Sequence, residues 1–373
     1  MLNPLPHQQR IIDLNPKKYI LNWEMRVGKS LPAAIWIDLP SQGDNTYIIT
    51  KKSNKKEWQG YKTRATVLTK EEFKKTEIIN PTAIVVDECH HFGSALFVKG
   101  RSDLATKFYK LVKQYPQCHM MLLTATPVRN SPWSFHTLLC YIGEYYEWKK
   151  WRDKFFVLQR MPFLRFPAYF PIPNWREEMM KLVEKHTDIV SLKNVVDDLP
   201  PAETKVIHVK GTKYVRPIDE VVTWTHEHRH EQKAKVAEIL ELGYRKVILV
   251  VYYTEQIDEL AKQLKEYKPV FILDGRTKDQ EGTIAQAQEA EECYFIVQAG
   301  CGEGWDGWMF GTMVFVSMPH SVVQFTQMSG RLRHPKHLKM TETIFYIGGR
   351  WDERIYKTLM EGRSFDPHTY DPS

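Results

Sequence analysis

Three short stretches carry side chains of the types and spacing that phosphate chemistry needs. The first, Trp23-Glu24-Met25-Arg26-Val27-Gly28-Lys29-Ser30, follows an apolar run (Tyr19, Ile20, Leu21) and precedes a helix-like segment from Leu31 to Leu39. A strand, a turn ending Gly-Lys-Ser and a helix can cradle a nucleotide's phosphates. Backbone N–H groups and the positive helix end face the phosphates, the lysine reaches the β/γ-phosphates and the serine hydroxyl can ligate Mg²⁺. The second, Asp87-Glu88-Cys89-His90, ends the uninterrupted run Ala83-Ile84-Val85-Val86. Asp87 can hold Mg²⁺ there and Glu88 can polarise an attacking water; the alternative is a solvated turn. The third is Gln327-Met328-Ser329-Gly330-Arg331-Leu332-Arg333-His334. Its arginines can stabilise charge on a transferred phosphoryl group, or be surface cations of a helix. None of the three decides alone, since Trp23 stands where the general phosphate-loop pattern has glycine.

Such groups need strands that end along a common edge. Thr46 to Thr50, Val67 to Thr69, Ala83 to Val86 and Met120 to Leu123 read as short buried strands of a parallel sheet, whose carboxyl ends are where α/β folds hold ligands. Pro32 falls in the first turn of the helix after the loop, where its missing N–H does no harm. Thr124-Ala125-Thr126-Pro127 follows the last of these strands, and Thr124 and Thr126 can relay a nucleotide's state by hydrogen bonds. A second set of strands covers Lys246 to Tyr252, Val270 to Leu273, Tyr294 to Val297 and Val314 to Val316. Between them Ile257, Leu260, Ala261 and Leu264 recur at helical spacing. Two runs of strands alternating with helices predict an α/β chain of two parallel-sheet domains. Leu199-Pro200-Pro201 marks the boundary, giving domains over 1–203 and 204–373.

Two further regions have a bland and a functional reading. After Thr50 come Lys51, Lys52, Lys55, Lys56, Trp58, Lys62 and Arg64, either a solvated face or a track for a phosphate backbone. Residues 141–175 interleave rings such as Tyr145, Trp148 and Tyr169 with cations such as Lys149 and Arg152. They either pack a helical extension on the first domain or stack on single-stranded nucleic acid.

At 373 residues, 43% hydrophobic and 26% charged, the chain has the size and composition of a soluble two-domain protein. A net charge of +7 leans mildly towards a polyanionic partner. The five cysteines form no C-x-x-C pair, which fits a reducing cytosol better than a disulfide framework or a zinc site. No run has the length of a membrane span, and Met1-Leu2-Asn3-Pro4-Leu5-Pro6 lacks the form of a signal peptide.

Taken in order, the motifs resemble those of superfamily 2 helicases and translocases, nearest to remodeller-like and phage-encoded members. Gln8 sits where the family's adenine-reading glutamine sits, and Arg26, Val27, Gly28, Lys29 and Ser30 match its phosphate loop. Asp87-Glu88-Cys89-His90 looks like the D-E-x-H box, and Thr124-Ala125-Thr126 like the S/T-A-T motif. Ala299-Gly300, Gly304 and Asp306 resemble the glycine-rich motif of the second lobe, while Gln327, Gly330 and Arg331 match Q-x-x-G-R-x-x-R. Arg26 replaces an inner glycine of that loop, and the last arginine of the final motif falls on His334, with Arg333 one place early.

The resemblance implies two RecA-like lobes in tandem, with ATP and Mg²⁺ in a cleft between them. Lys29, Asp87, Glu88, Gln327, Arg331 and Arg333 would be catalytic, Gly304 and Asp306 would join the ATP-binding set, and Ser30 and Asp87 would hold the metal. His90, Thr124 and Thr126 would couple the nucleotide to a DNA track of Thr50, Lys51, Lys52, Lys55, Lys56, Thr69, Arg129 and Thr254. The implied activity is ATP-driven movement on single-stranded, forked or branched DNA by a monomer in the cytoplasm, that of a bacterial host if phage-encoded. Phage replication, recombination or repair, alongside the proteins of those processes, would be the setting. An RNA helicase of the D-E-x-H type and a non-catalytic nucleic-acid scaffold are the alternatives. An ATPase panel over DNA and RNA separates them.

Overall fold

Among the described residues fourteen strands are numbered in chain order, and twelve of them build two parallel sheets. The computed structural model describes residues 3–94, 102–128, 131–160, 167–195, 202–209, 226–302, 304–332 and 340–365. Arg129, Arg333, His334 and the boundary at 199–201 lie outside the described residues. The chain divides into two compact units, residues 1–197 and 198–373.

In the first unit the strands are β1 (Lys18–Trp23), β2 (Thr46–Thr50), β3 (Thr66–Thr69), β4 (Ala83–Val86), β5 (His119–Thr124) and β8 (Asp188–Val190). They form one sheet in the order β3-β2-β4-β5-β1-β8, and every pairing is parallel. All four residues of β4 are buried, as a central strand covered on both faces requires. Side chains alternate between the faces. Ile20, Ile49, Ile84, Val86, Met120 and Leu122 share a core with Phe73, Phe108, Phe135 and Leu138, which come from the helices Lys70–Lys75, Asp103–Gln114 and Pro132–Ile142. Crossover order and parallel pairing place the loops after β1, β2, β3, β4 and β5 at one edge of the sheet.

The described part of 141–175 contains the helix Trp148–Phe155 and two strands, β6 (Phe156–Gln159) and β7 (Ala168–Pro171), that pair antiparallel; the helix Trp175–His186 follows. Tyr141, Trp151, Phe155, Phe156 and Trp175 are buried in the first unit's core, so much of the aromatic content is packing. Tyr145, Trp148 and Tyr169 are exposed, and the Arg152 guanidinium lies over the last two, 5.2 and 4.9 Å from the ring centres.

The second unit repeats the design with β9 (Ala202–His208), β10 (Lys246–Val251), β11 (Val270–Leu273), β12 (Cys293–Gln298), β13 (Thr312–Phe315) and β14 (Thr341–Ile347). Their order is β11-β12-β10-β13-β14-β9, again parallel throughout. Ile248 and Val250 join Phe295, Phe315 and Phe345 in one core, while Val247, Leu249 and Val251 join Ile296, Ile344 and Tyr346 in another. Helices cover both faces: Ile257, Leu260 and Leu264 pack on the second side, Trp351, Ile355 and Leu359 on the first. The chain is thus two RecA-like parallel-sheet lobes in tandem, the fold that the ordered motifs imply.

Candidate functional site

The phosphate loop runs from the end of β1 to the helix Ser30–Ile37, slightly shorter than the expected segment. Its neighbours hold it from both sides. Trp23, fully buried, donates its indole N–H to Asp188 at 2.6 Å, and Arg10 forks onto the same carboxylate at 2.7 and 2.8 Å. Glu24 donates its backbone N–H to Val190 and accepts the Leu192 N–H on its carboxylate. Strand β8 is therefore what replaces the glycine of the general pattern: the large ring at position 23 is an anchor, bound to a partner 165 residues away. Nothing local in the sequence signals that partner.

Within the loop, Arg26 and Gly28 both take positive φ, 70° and 80°. Gly28 needs to be glycine twice over, because a Cβ there would also lie 2.6 Å from the Gln8 amide nitrogen. Arg26 adopts without glycine a conformation that costs an L-residue about 1–2 kcal/mol. Gln8 donates to the Gly28 carbonyl at 2.8 Å and accepts the Leu5 N–H, so its amide braces the loop. The Val27 side chain is buried, its carbonyl lies 3.0 Å from His7 Nε2, and its N–H donates to the Glu24 carbonyl.

Lys29 and Glu88 face each other, Nζ to Oε1 4.0 Å. The other Glu88 oxygen is 3.2 Å from His90 Nδ1, which is 3.2 Å from the Thr124 hydroxyl. Thr124 in turn accepts the Thr126 N–H at 3.0 Å. Burial by itself would push the Glu88 carboxyl up, but the Lys29 ammonium, His90 and Lys51 outweigh it and hold the group well below the usual carboxylate range. Glu88 also sits in the left-handed region, φ 50°, ψ 53°. Such strain persists only where the surroundings over-determine it, as this chain of contacts does.

Asp87, almost fully buried, accepts three hydrogen bonds on Oδ2: from Thr50 (2.8 Å), Trp58 (3.1 Å) and Asn54 (3.2 Å). Among the described residues its Oδ1 accepts none. Ser30 has the Tyr61 phenol against its hydroxyl, and burial raises that phenol to about 12. Ser30 and Asp87 supply hard oxygen donors, the set that suits Mg²⁺.

Part of the expected DNA track has side chains turned to internal partners. Thr50 is fully buried with its hydroxyl on Asp87, so its side chain has no surface to offer. The Thr69 hydroxyl accepts the Glu72 N–H and caps the helix Lys70–Lys75. Lys55 is pinned to Glu72 at 2.7 Å. Lys52 and Lys56 are exposed and Lys51 is half-buried beside Glu88. Lys70, which spacing did not single out, has its ammonium buried without a hydrogen-bond partner among the described residues. Burial, with help from Lys51, pushes it down to about 7, against the pull of Glu88 and Asp87.

In the second unit the expected residues behave differently. Arg331 is buried, donating Nε to the Gly302 carbonyl at 2.5 Å and Nη1 to that of Trp305 at 2.6 Å. Gln327 is buried on the helix Val322–Ser329. Gly304 takes φ 83°, Asp306 accepts Gln288 on its backbone carbonyl, and the Thr254 hydroxyl accepts Gln298. The Asp352 side chain of the last helix, Arg350–Met360, is tied to Lys235 and the Gly348 N–H.

Residues 24–129 match the family model ResIII, described as type III restriction enzyme, res subunit. That segment contains the phosphate loop, the D-E-C-H box and the T-A-T motif. No curated protein matches the chain. Among solved structures the chain is similar to the Sulfolobus solfataricus SWI2/SNF2 ATPase core in complex with dsDNA, at 12% identity and a TM-score of 0.43, over 96% of this chain and 91% of that one. No helix among the described residues is long and apolar enough to cross a membrane.

Proposed function

We propose that the chain is a superfamily 2-type, DNA-dependent ATPase, a helicase or translocase that couples ATP hydrolysis to movement on DNA or remodelling of forks and junctions. The observation that carries this reading is the line of contacts Lys29–Glu88–His90–Thr124–Thr126 along one edge of a parallel sheet. The match of residues 24–129 to a restriction-enzyme subunit favours DNA as the polyanion. The exposed Lys52 and Lys56 give such a backbone cations to meet.

In this reading Lys29 binds the β/γ-phosphates, and the loop's backbone N–H groups hold the rest of the chain of phosphates. Ser30 and Asp87 would hold Mg²⁺, which would supply charge neutralisation on the phosphates. Glu88, ionised, orients and polarises the attacking water. Once phosphates claim Lys29, Glu88 loses the cation that most depresses it and becomes more basic, so activation of water follows nucleotide binding. His90 holds the second Glu88 oxygen and passes its position to Thr124 and Thr126. Arg331 is assigned to the developing phosphate charge, for which it releases the Gly302 and Trp305 carbonyls.

An ATPase panel with single-stranded, duplex, forked and four-way DNA and with RNA tests the reading. DNA should stimulate hydrolysis, and Lys29→Ala or Glu88→Gln should lower the stimulated rate by about 10²-fold or more. Parental turnover in the Glu88→Gln variant would sink the mechanism; stimulation by RNA alone would replace DNA as the partner.

A further inference from the structure

The basic segment 52–60 has two of its side chains fastened to the site at one oxygen atom. Asn54, from the 3-10 turn Lys52–Asn54, and Trp58, from the helix Lys55–Gly60, both donate to Asp87 Oδ2, at 3.2 and 3.1 Å. Trp58 is 1% exposed, while Lys52 and Lys56 on the same segment are exposed. The Trp58 ring also packs on Tyr61 at 5.7 Å, and Tyr61 places its phenol against Ser30. One short segment therefore touches both oxygen donors assigned to Mg²⁺ and carries lysines on its outer side. We infer that Asn54 and Trp58 are positioning residues that link the Mg²⁺–nucleotide side of Asp87 to the binding of a nucleic-acid phosphate backbone by the neighbouring lysines.

The inference rests on the ATPase reading above and adds the route of coupling. A cation held by Asp87 competes with Asn54 and Trp58 for the charge of the same carboxylate, so occupancy changes how tightly the segment is held. The reverse follows by linkage: a backbone that shifts the segment alters the carboxylate that meets the cation, and the two effects are equal in size. Trp58 serves this purpose in a way Phe could not, because only the indole N–H reaches the oxygen.

The test is a binding linkage in the full chain. A fluorescent oligodeoxythymidine is titrated with protein, with and without Mg²⁺ and a non-hydrolysable ATP analogue, for the parent, Trp58→Phe and Asn54→Ala. In the parent the analogue should change oligonucleotide affinity by about 5–150-fold, the usual span of such couplings. Each variant should still bind the analogue and the oligonucleotide alone, with that ratio reduced to within about twofold. A purely structural role would weaken the affinities without collapsing their ratio. Variants that keep the parental ratio overturn the inference, as does a parent that binds both ligands without linkage. A parent that binds no nucleotide overturns the ATPase reading and the inference with it. Thermal unfolding monitors the variants; should Trp58→Phe not fold, Asn54→Ala, at a half-buried site outside the apolar core, decides the question.

Discussion

In the first unit the charged side chains face one another: Lys29, Glu88, His90 and Thr124 are joined by contacts of 3.2 to 4.0 Å at the ends of parallel strands. In the second unit Arg331 turns its guanidinium inward, to two backbone carbonyls of the glycine-rich loop. Both sites come from equally plain sequence motifs. The difference lies in what the polar atoms bind. Lys29 holds Glu88 at the long end of ion-pair distance, an arrangement that an incoming phosphate can displace. Arg331 instead donates to two backbone carbonyls of its own unit, which makes it part of that unit's architecture. A residue can match a catalytic motif and still serve the packing of its own loop.

The contrast can be broken in three ways. The largest effect should come from Lys70→Met. The unfolded chain holds the Lys70 proton up to about pH 10.5, whereas the folded chain gives it up near pH 7, so stability rises with pH between those values. Below about pH 7 the buried charge carries its full cost. There Lys70→Met should stabilise by on the order of a few kcal/mol, and the gain should fade as pH approaches 10.5. Denaturant unfolding at pH 6, 8 and 10 checks it; a gain independent of pH means the ammonium is not the cause. Next is Arg331→Ala, which removes two charge-assisted bonds and should cost about 2–4 kcal/mol without nucleotide. Lys29→Ala removes one partner of a mostly buried pair held at 4.0 Å and should cost less, about 1 kcal/mol. Equal losses for the two would erase the distinction between the units. The smallest is Arg26→Gly, which relieves a positive φ and should stabilise by about 1 kcal/mol or less, since glycine also gains freedom in the unfolded chain. A loss of stability would mean that the arginine side chain more than repays its strain.

The basic segment teaches the same lesson on a smaller scale. Charge density marked Lys51 to Lys56 as a track, yet Thr50 and Thr69, singled out with it, put their hydroxyls to internal use on Asp87 and on a helix cap. Lys70 escaped notice because a lone lysine opening a polar helix looks solvated; only the fold brings it beside Lys51, Asp87 and Glu88. The aromatic stretch divided in the same way, Trp151 and Phe155 into the core, Trp148 and Tyr169 to the surface beside Arg152.

What the sequence determined by itself is whatever local pattern controls. Apolar β-branched runs such as Ala83 to Val86 form strands covered on both faces, strands alternating with helices give parallel sheets, and parallel sheets put the ends of β1, β4 and β5 at one edge. Those three facts bring Lys29, Glu88 and Thr124 together. What only the tertiary structure decided are the partners separated by long stretches of chain: Trp23 with Asp188, Asp87 with Trp58, Arg331 with Gly302. A hydrogen bond needs two groups within about 3 Å. Periodicity fixes which face a residue takes, but only the packed chain fixes which distant donor reaches which acceptor.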